Sequence, residues 1–177
     1  MDELFEQIMA QTEAQFGPRD RTWQLGRIVV LGNDYPETTT IELLHVVVVR
    51  ITESTRQFPM QAIYQLTHET VHCLSPHGRR DTLYFEEGLA NHCALTQPLL
   101  PEPYLADCLA DLPPILLGPL NAFRALNPTA QAVRALRAEQ PNLDAVTPAL
   151  VQGYFGVSHE LAAAVCQRMP MGRPERM

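Results

Sequence analysis

The stretch His68-Glu69-Thr70-Val71-His72 decides how this chain is read. Residues four apart share one face of an α-helix, so on a helix both imidazoles project to the same side, with Glu69 beside the first. The preceding residues sustain a helix. Pro59 sits where a helix start tolerates proline. Met60, Ile63, Thr67, Val71 and Leu74 recur at i, i+3, i+7, i+11 and i+14 as a core-facing stripe, and Gln61, Gln65, His68 and His72 form a polar stripe next to it. The spacing predicts a helix that buries one face and offers both histidines to a cleft.

Two imidazoles at i and i+4 with an adjacent carboxylate form the pattern of zinc hydrolases, in which the ring nitrogens hold the ion and the glutamate reaches the water it activates. A catalytic zinc needs a third protein ligand and one open position. Ser75-Pro76-His77-Gly78 ends the first helix, and Asp81 is placed to cap a second one from about Thr82. On that helix, Phe85-Glu86-Glu87-Gly88-Leu89-Ala90 brings Glu87 in 15 residues after His72. Glu86 and Glu87 project about 100° apart on a helix, so the two cannot face one metal equally. The other histidines fit less well. A third-histidine motif requires Gly at 75 and His at 78, where Ser75 and Gly78 stand, and His92 faces away from Glu87. His45 reads as a surface or satisfied core histidine.

Over residues 67–91 the chain resembles the gluzincin metallopeptidases, in a minimal single-domain form. The resemblance implies a zinc-dependent peptidase with His68, His72 and Glu87 as metal ligands. Glu87 is preferred to Glu86 because the family's ligand immediately precedes a small residue, which leaves Glu86 to solvent. Glu69 is then the general base that takes a proton from water and passes it to the leaving amine. The substrate is expected to be a peptide or protein. Asn91 occupies the place where related enzymes carry a carboxylate that orients a ligand histidine. Gly88, which costs a helix about 1 kcal/mol relative to Ala, is expected to let the two motif helices approach closely. Such enzymes also use a later Tyr or His to steady the oxyanion; Tyr154, His159 and Tyr104 are the candidates. The alternative keeps the metal without the reaction, as a zinc-binding module that recognises a peptide or protein. Glu69 argues against it, because binding alone needs no base.

Outward from the motif, the fold expected is α+β and zincin-like: one domain over residues 1–177, with a small N-terminal sheet packed on the motif helix and a mostly helical C-terminal half. Residues 2–16 carry apolar positions at helical spacing up to Gly17-Pro18. Residues 23–31 read as a strand running into a turn at Gly32-Asn33-Asp34, and residues 35–40 as loop. Val46-Val47-Val48-Val49 marks a strand over residues 43–52. In gluzincin-like folds the strand before the motif lies at the cleft, so one edge of it is expected to meet substrate; a buried core strand is the alternative. After Leu95 prolines punctuate a helical half, with helices over residues 130–138 and 158–166, the last capped by Ser158. The tail beyond Met169 reads as polar and mobile.

Composition bounds these readings. A chain of 177 residues with 46% apolar content suits one domain with a substantial core. The net charge of -7 weighs against nucleic acid, whose phosphates call for clustered Lys and Arg. No apolar run is long enough to span a membrane, and the acidic start Met1-Asp2-Glu3-Leu4-Phe5-Glu6 lacks the positive charge of a secretory signal. Cys73, Cys93, Cys108 and Cys166 form no C-x-x-C pair and read as reduced thiols. A cytoplasmic protein is expected.

Overall fold

The computed structural model describes residues 1–32, 35–79 and 81–169. The turn expected at Asn33-Asp34 and the tail beyond Met169 lie outside them. Among the described residues the chain is α+β, with eight α-helices and a small mixed sheet. No helix among them is long and apolar enough to cross a membrane.

The sheet is organised by β4 (Val46–Thr52), whose alternate residues Val47, Val49 and Ile51 are buried. β1 (Gln24–Leu25) and β2 (Val29–Leu31) pair in parallel with successive parts of β4, Gln24 opposite Val46 and Val29 opposite Arg50. They are one extended run interrupted around Gly26, whose N–H still donates to the Val47 carbonyl at 2.7 Å. β3 (Glu37–Ile41) pairs antiparallel along the opposite side of β4, from Glu37 opposite Arg50 to Ile41 opposite Val46. Of the residues expected as loop, 37–40 are therefore strand, and only Tyr35 and Pro36 remain outside it. The run Thr38-Thr39-Thr40 is β-branched and satisfies its backbone on β4, a long-range pairing that short windows of sequence do not reveal. With both sides of β4 taken, the strand before the motif is central, and among the described residues β3 forms one edge of the sheet and β1 and β2 the other. The strand expected over residues 43–52 starts later because Glu42–Leu44 form a 3-10 turn and His45 takes a left-handed conformation, φ 49°, with its ring against Trp23.

α1 (Asp2–Phe16) and α2 (Pro59–His72) pack on each other through the Thr12 and Thr70 hydroxyls, 3.0 Å apart, amid Phe5, Ile8, Leu66 and Val71. Gln65 ties α2 to the end of β4: its carbonyl oxygen accepts from Thr52 N at 3.0 Å, and its amide donates to Thr52 Oγ1 at 2.8 Å. The predicted two-stripe division of α2 is thus only partly realised. Met60 is 43% exposed because the first turn projects beyond its neighbours, whereas Gln65, from the polar stripe, is buried.

The C-terminal half consists of α3 (Tyr84–Leu95), α4 (Glu102–Ala110), α5 (Pro114–Ala125), α6 (Ala130–Glu139), α7 (Pro148–Phe155) and α8 (His159–Val165). Thr129 and Ser158 cap α6 and α8, accepting from Ala132 N and Leu161 N. Asp81 does not cap α3. That helix begins after Leu83, and the Asp81 carboxylate is held by the Arg79 guanidinium at 3.0 and 3.1 Å.

The connection from α2 to α3 is pinned from below. The buried Arg137 of α6 donates to the carbonyls of Phe16, Gly17, Pro18 and Leu74 at 2.7–3.2 Å, and Leu143 N donates to Ser75 Oγ at 3.0 Å. At its far end Tyr84 N donates to the Gln167 carbonyl and Met169 N to that of Thr82, both at 2.8 Å. These contacts fix where α3 starts relative to α2, and so where its carboxylates point.

Candidate metal centre

His68 and His72 project from one face of α2, and Glu87, in the first turn of α3, points back at them. His68 Nε2 and His72 Nε2 are 3.2 Å apart, His68 Nε2 is 3.4 Å from Glu87 Oε1, and His72 Nε2 is 3.6 Å from Glu87 Oε2. Ligands bound tetrahedrally at zinc distances, about 2.0–2.1 Å, stand about 3.3–3.4 Å from one another. The two imidazole contacts to Glu87 run to different carboxylate oxygens, and one donor atom from each of the three residues lies within 4.8 Å of the others. Two imidazole nitrogens and a carboxylate brought this close, each only slightly exposed, form an arrangement a cation between them would stabilise. Among the described residues this is the one group of His, Cys, Asp or Glu positioned to hold a metal ion.

Glu86 is not solvated, contrary to the expectation that one of the two neighbouring carboxylates faces water. It is 0% exposed. The 100° between the two side chains carries Glu86 not outward but to the other nitrogen of His72: His72 Nδ1 donates to Glu86 Oε1 at 2.7 Å, and His77 Nε2 donates to Glu86 Oε2 at 3.1 Å. Burial opposes charge on these groups, but the mutual bonds outweigh it. Glu86 is held well below the usual carboxylate range, and His72 and His77 are raised above the usual imidazole range. Glu87 and Glu69 add to the rise at His72.

Glu69 lies on α2 next to His68 and is 2% exposed. Its Oε2 accepts from Thr38 Oγ1 on the edge strand β3 at 2.6 Å. Asn91 does not reach an imidazole. Its amide donates to Glu87 Oε1 at 3.0 Å and to the Glu87 carbonyl at 2.9 Å, so it steadies that carboxylate instead. An amide nitrogen beside a carboxylate donates, and the group four residues along its own helix is the nearest acceptor.

The expected oxyanion partners are engaged elsewhere. Tyr154 donates to Glu139 at 2.6 Å and His159 is beside Gln152, both on exposed parts of the C-terminal helices. Tyr104, on α4, lies in contact with Cys108, and its hydroxyl pKa is raised by burial first and then by that thiol. His92 packs on Phe123 with ring centroids 5.7 Å apart, and burial lowers its pKa, so it is not directed to the centre. The expected role of Gly88 also changes. A Cβ there would stand 2.5 Å from the Pro119 carbonyl oxygen and from Phe123 Cβ, so the close approach it permits is between α3 and α5.

Four participants carry no motif. Thr38 lies on a strand distant in sequence from the motif and His77 in the turn just after α2; a β-branched run and a histidine five residues past His72 are their only signals. Glu86 differs from Glu87 only in azimuth. Tyr64, one turn before His68, has a buried hydroxyl without a protein partner among the described residues, and burial, Cys108, Tyr104 and Glu87 raise its pKa. Compared with protein-family models, curated proteins and solved structures, the chain matches none of them.

Proposed function

We propose that the chain is a zinc-dependent peptidase of gluzincin type, a minimal zincin-like unit over residues 1–177 that hydrolyses peptide bonds in a peptide or protein. The observation that carries this is the convergence of His68 Nε2, His72 Nε2 and the Glu87 carboxylate, one donor atom from each lying within 4.8 Å of the others, with Glu69 on the same helix as the histidines and engaged by Thr38. Zinc, when bound, supplies the Lewis acid that activates water and polarises the scissile carbonyl.

Glu69 takes the proton from the attacking water and delivers it to the leaving amine. Thr38 keeps one carboxylate oxygen of Glu69 engaged, which fixes the rotamer while the other oxygen works. The edge of β3 away from β4, unpaired among the described residues and next to Thr38, is where an extended peptide adds as a further strand. The four cysteines are free, which suits a reducing cytoplasm, and the acidic balance of the chain suits a polypeptide better than a nucleic acid.

Elemental analysis of the purified wild type beside His68→Ala tests the centre. About one zinc per chain, lost in the variant, is expected; no metal in either after incubation with zinc would remove the enzyme reading. A peptide-library screen then tests the reaction. Glu69→Gln should retain zinc and lose about 10²–10⁴-fold in turnover, and turnover that survives in it would assign the base elsewhere.

A further inference from the structure

We propose that Glu86 and His77 form a buried outer-sphere pair that positions His72, fixing its Nε2 as the metal-binding nitrogen. This rests on the zinc-site reading above.

A carboxylate with no exposure is costly unless both of its oxygens are satisfied. Among the described residues Glu86 meets that condition with two imidazoles: Oε1 takes His72 Nδ1–H at 2.7 Å and Oε2 takes His77 Nε2–H at 3.1 Å. Because a carboxylate can only accept, the proton of His72 must sit on Nδ1 when the ring is neutral. That leaves the Nε2 lone pair facing His68 and Glu87. The ring can neither flip nor change tautomer without taking the donor from one oxygen of a buried carboxylate.

His77 supplies the other half. The turn that carries it is held by Arg137 on the Leu74 carbonyl and by Leu143 N on Ser75 Oγ. Gly78 packs so closely on Glu42 that a Cβ there would overlap the carboxylate. The fold therefore places His77, His77 sets the rotamer of Glu86, and Glu86 sets His72. The resemblance to gluzincins puts an orienting carboxylate at position 91, but Asn91 donates to Glu87. The task falls to the residue directly before the ligand.

The test measures zinc affinity by chelator competition and the visible spectrum of the cobalt-substituted protein, for wild type, Glu86→Gln, His77→Ala and His77→Gln. Glu86→Gln keeps the volume, and its amide can pair with both imidazoles once His77 changes tautomer, so it tests the charge without opening a hole. We expect Glu86→Gln to weaken zinc binding about 10- to 100-fold and to shift the cobalt bands. His77→Ala should weaken binding less, and His77→Gln, which can still donate to Glu86, should recover most of that loss. Affinities within twofold of wild type and an unchanged cobalt spectrum in both Glu86→Gln and His77→Ala would overturn the proposal, even if their thermal stability fell. Failure of the wild type to take up zinc would instead remove the zinc-site reading itself.

Discussion

The two sides of α3 are built by opposite means. Toward α2 it presents Glu86, Glu87 and Asn91, all buried and each tied to a polar partner. Toward α5 it presents Phe85 and Gly88: the Phe85 and Phe123 rings meet edge to face with centroids 5.3 Å apart, and the glycine lets the backbones close. Burying a Phe side chain contributes about 1.5–3 kcal/mol, whereas a buried ion pair roughly offsets its own desolvation. The helix is therefore held by the face turned away from the centre. Stability from that apolar face is what allows the other to keep histidines and carboxylates at metal-binding spacing in a buried site.

Exchanging the consequences of the two faces would break this comparison. Phe123→Ala should cost about 3–5 kcal/mol of unfolding free energy and leave the zinc content near one per chain. Glu87→Ala should do the reverse, losing zinc while the metal-free protein keeps most of its stability. Denaturant unfolding and elemental analysis of both variants decide it. Full zinc in Glu87→Ala would transfer the ligand role to Glu86 or His92, and equal destabilisation by both would mean that the polar face is structural.

A second effect separates the faces by pH. His72 is raised in the folded protein, because the bond to Glu86 and the surrounding carboxylates outweigh burial, and His77 is raised in the same way. In metal-free protein that stabilisation is fully present below the ordinary imidazole value of about 6.5 and is lost as pH rises through the folded values. Glu86 is depressed, so its contribution is present above the ordinary carboxylate value and is lost as pH falls toward the folded one. Metal-free protein should thus be most stable between about pH 4.5 and 6.5. Zinc, which requires neutral imidazoles, should flatten the alkaline side. Melting temperatures from pH 4 to 9, with chelator and with zinc, measure this; a metal-free melting temperature that climbs from pH 6.5 to 8.5 would contradict the His72–Glu86 geometry.

What was legible in the sequence follows the same division. His68, His72, Glu69 and Glu87 share helical periodicities, and local spacing placed them on two helices in the right sense. The extents of α1 and α2 and the Ser158 cap were legible for the same reason. The partners of those side chains were not. Thr38 arrives by pairing of β3 with β4, and His77 arrives because distant groups on α6 and around Leu143 hold its turn. Glu86 was misread because a pair of adjacent carboxylates offers no sign that both are enclosed. Asn91 falls on the helix face that helical spacing gives it, but its partner, Glu87, was not legible, since an amide gives no indication of which of its ends will be used. Local periodicity places groups on elements, while the environment of each group is set by contacts between elements far apart in the chain.

Gly88→Ala has the smallest expected effect, and its sign tests the comparison. On helix propensity alone, replacing a glycine inside α3 should stabilise the protein by about 1 kcal/mol. The packing opposes this, because the new methyl would meet the Pro119 carbonyl oxygen and Phe123 Cβ at 2.5 Å, and both are attached directly to the α5 backbone. Neither can swing aside as the end of a flexible side chain could, so α3 and α5 must separate. Overpacking of this kind costs about 1–3 kcal/mol, enough to reverse the propensity gain. We expect net destabilisation, read as a lower denaturation midpoint. Zinc affinity should change little if α3 shifts away from α5 without rotating. Net stabilisation would show that the α3–α5 contact is loose enough to accept the methyl and that no close approach at this position depends on the glycine.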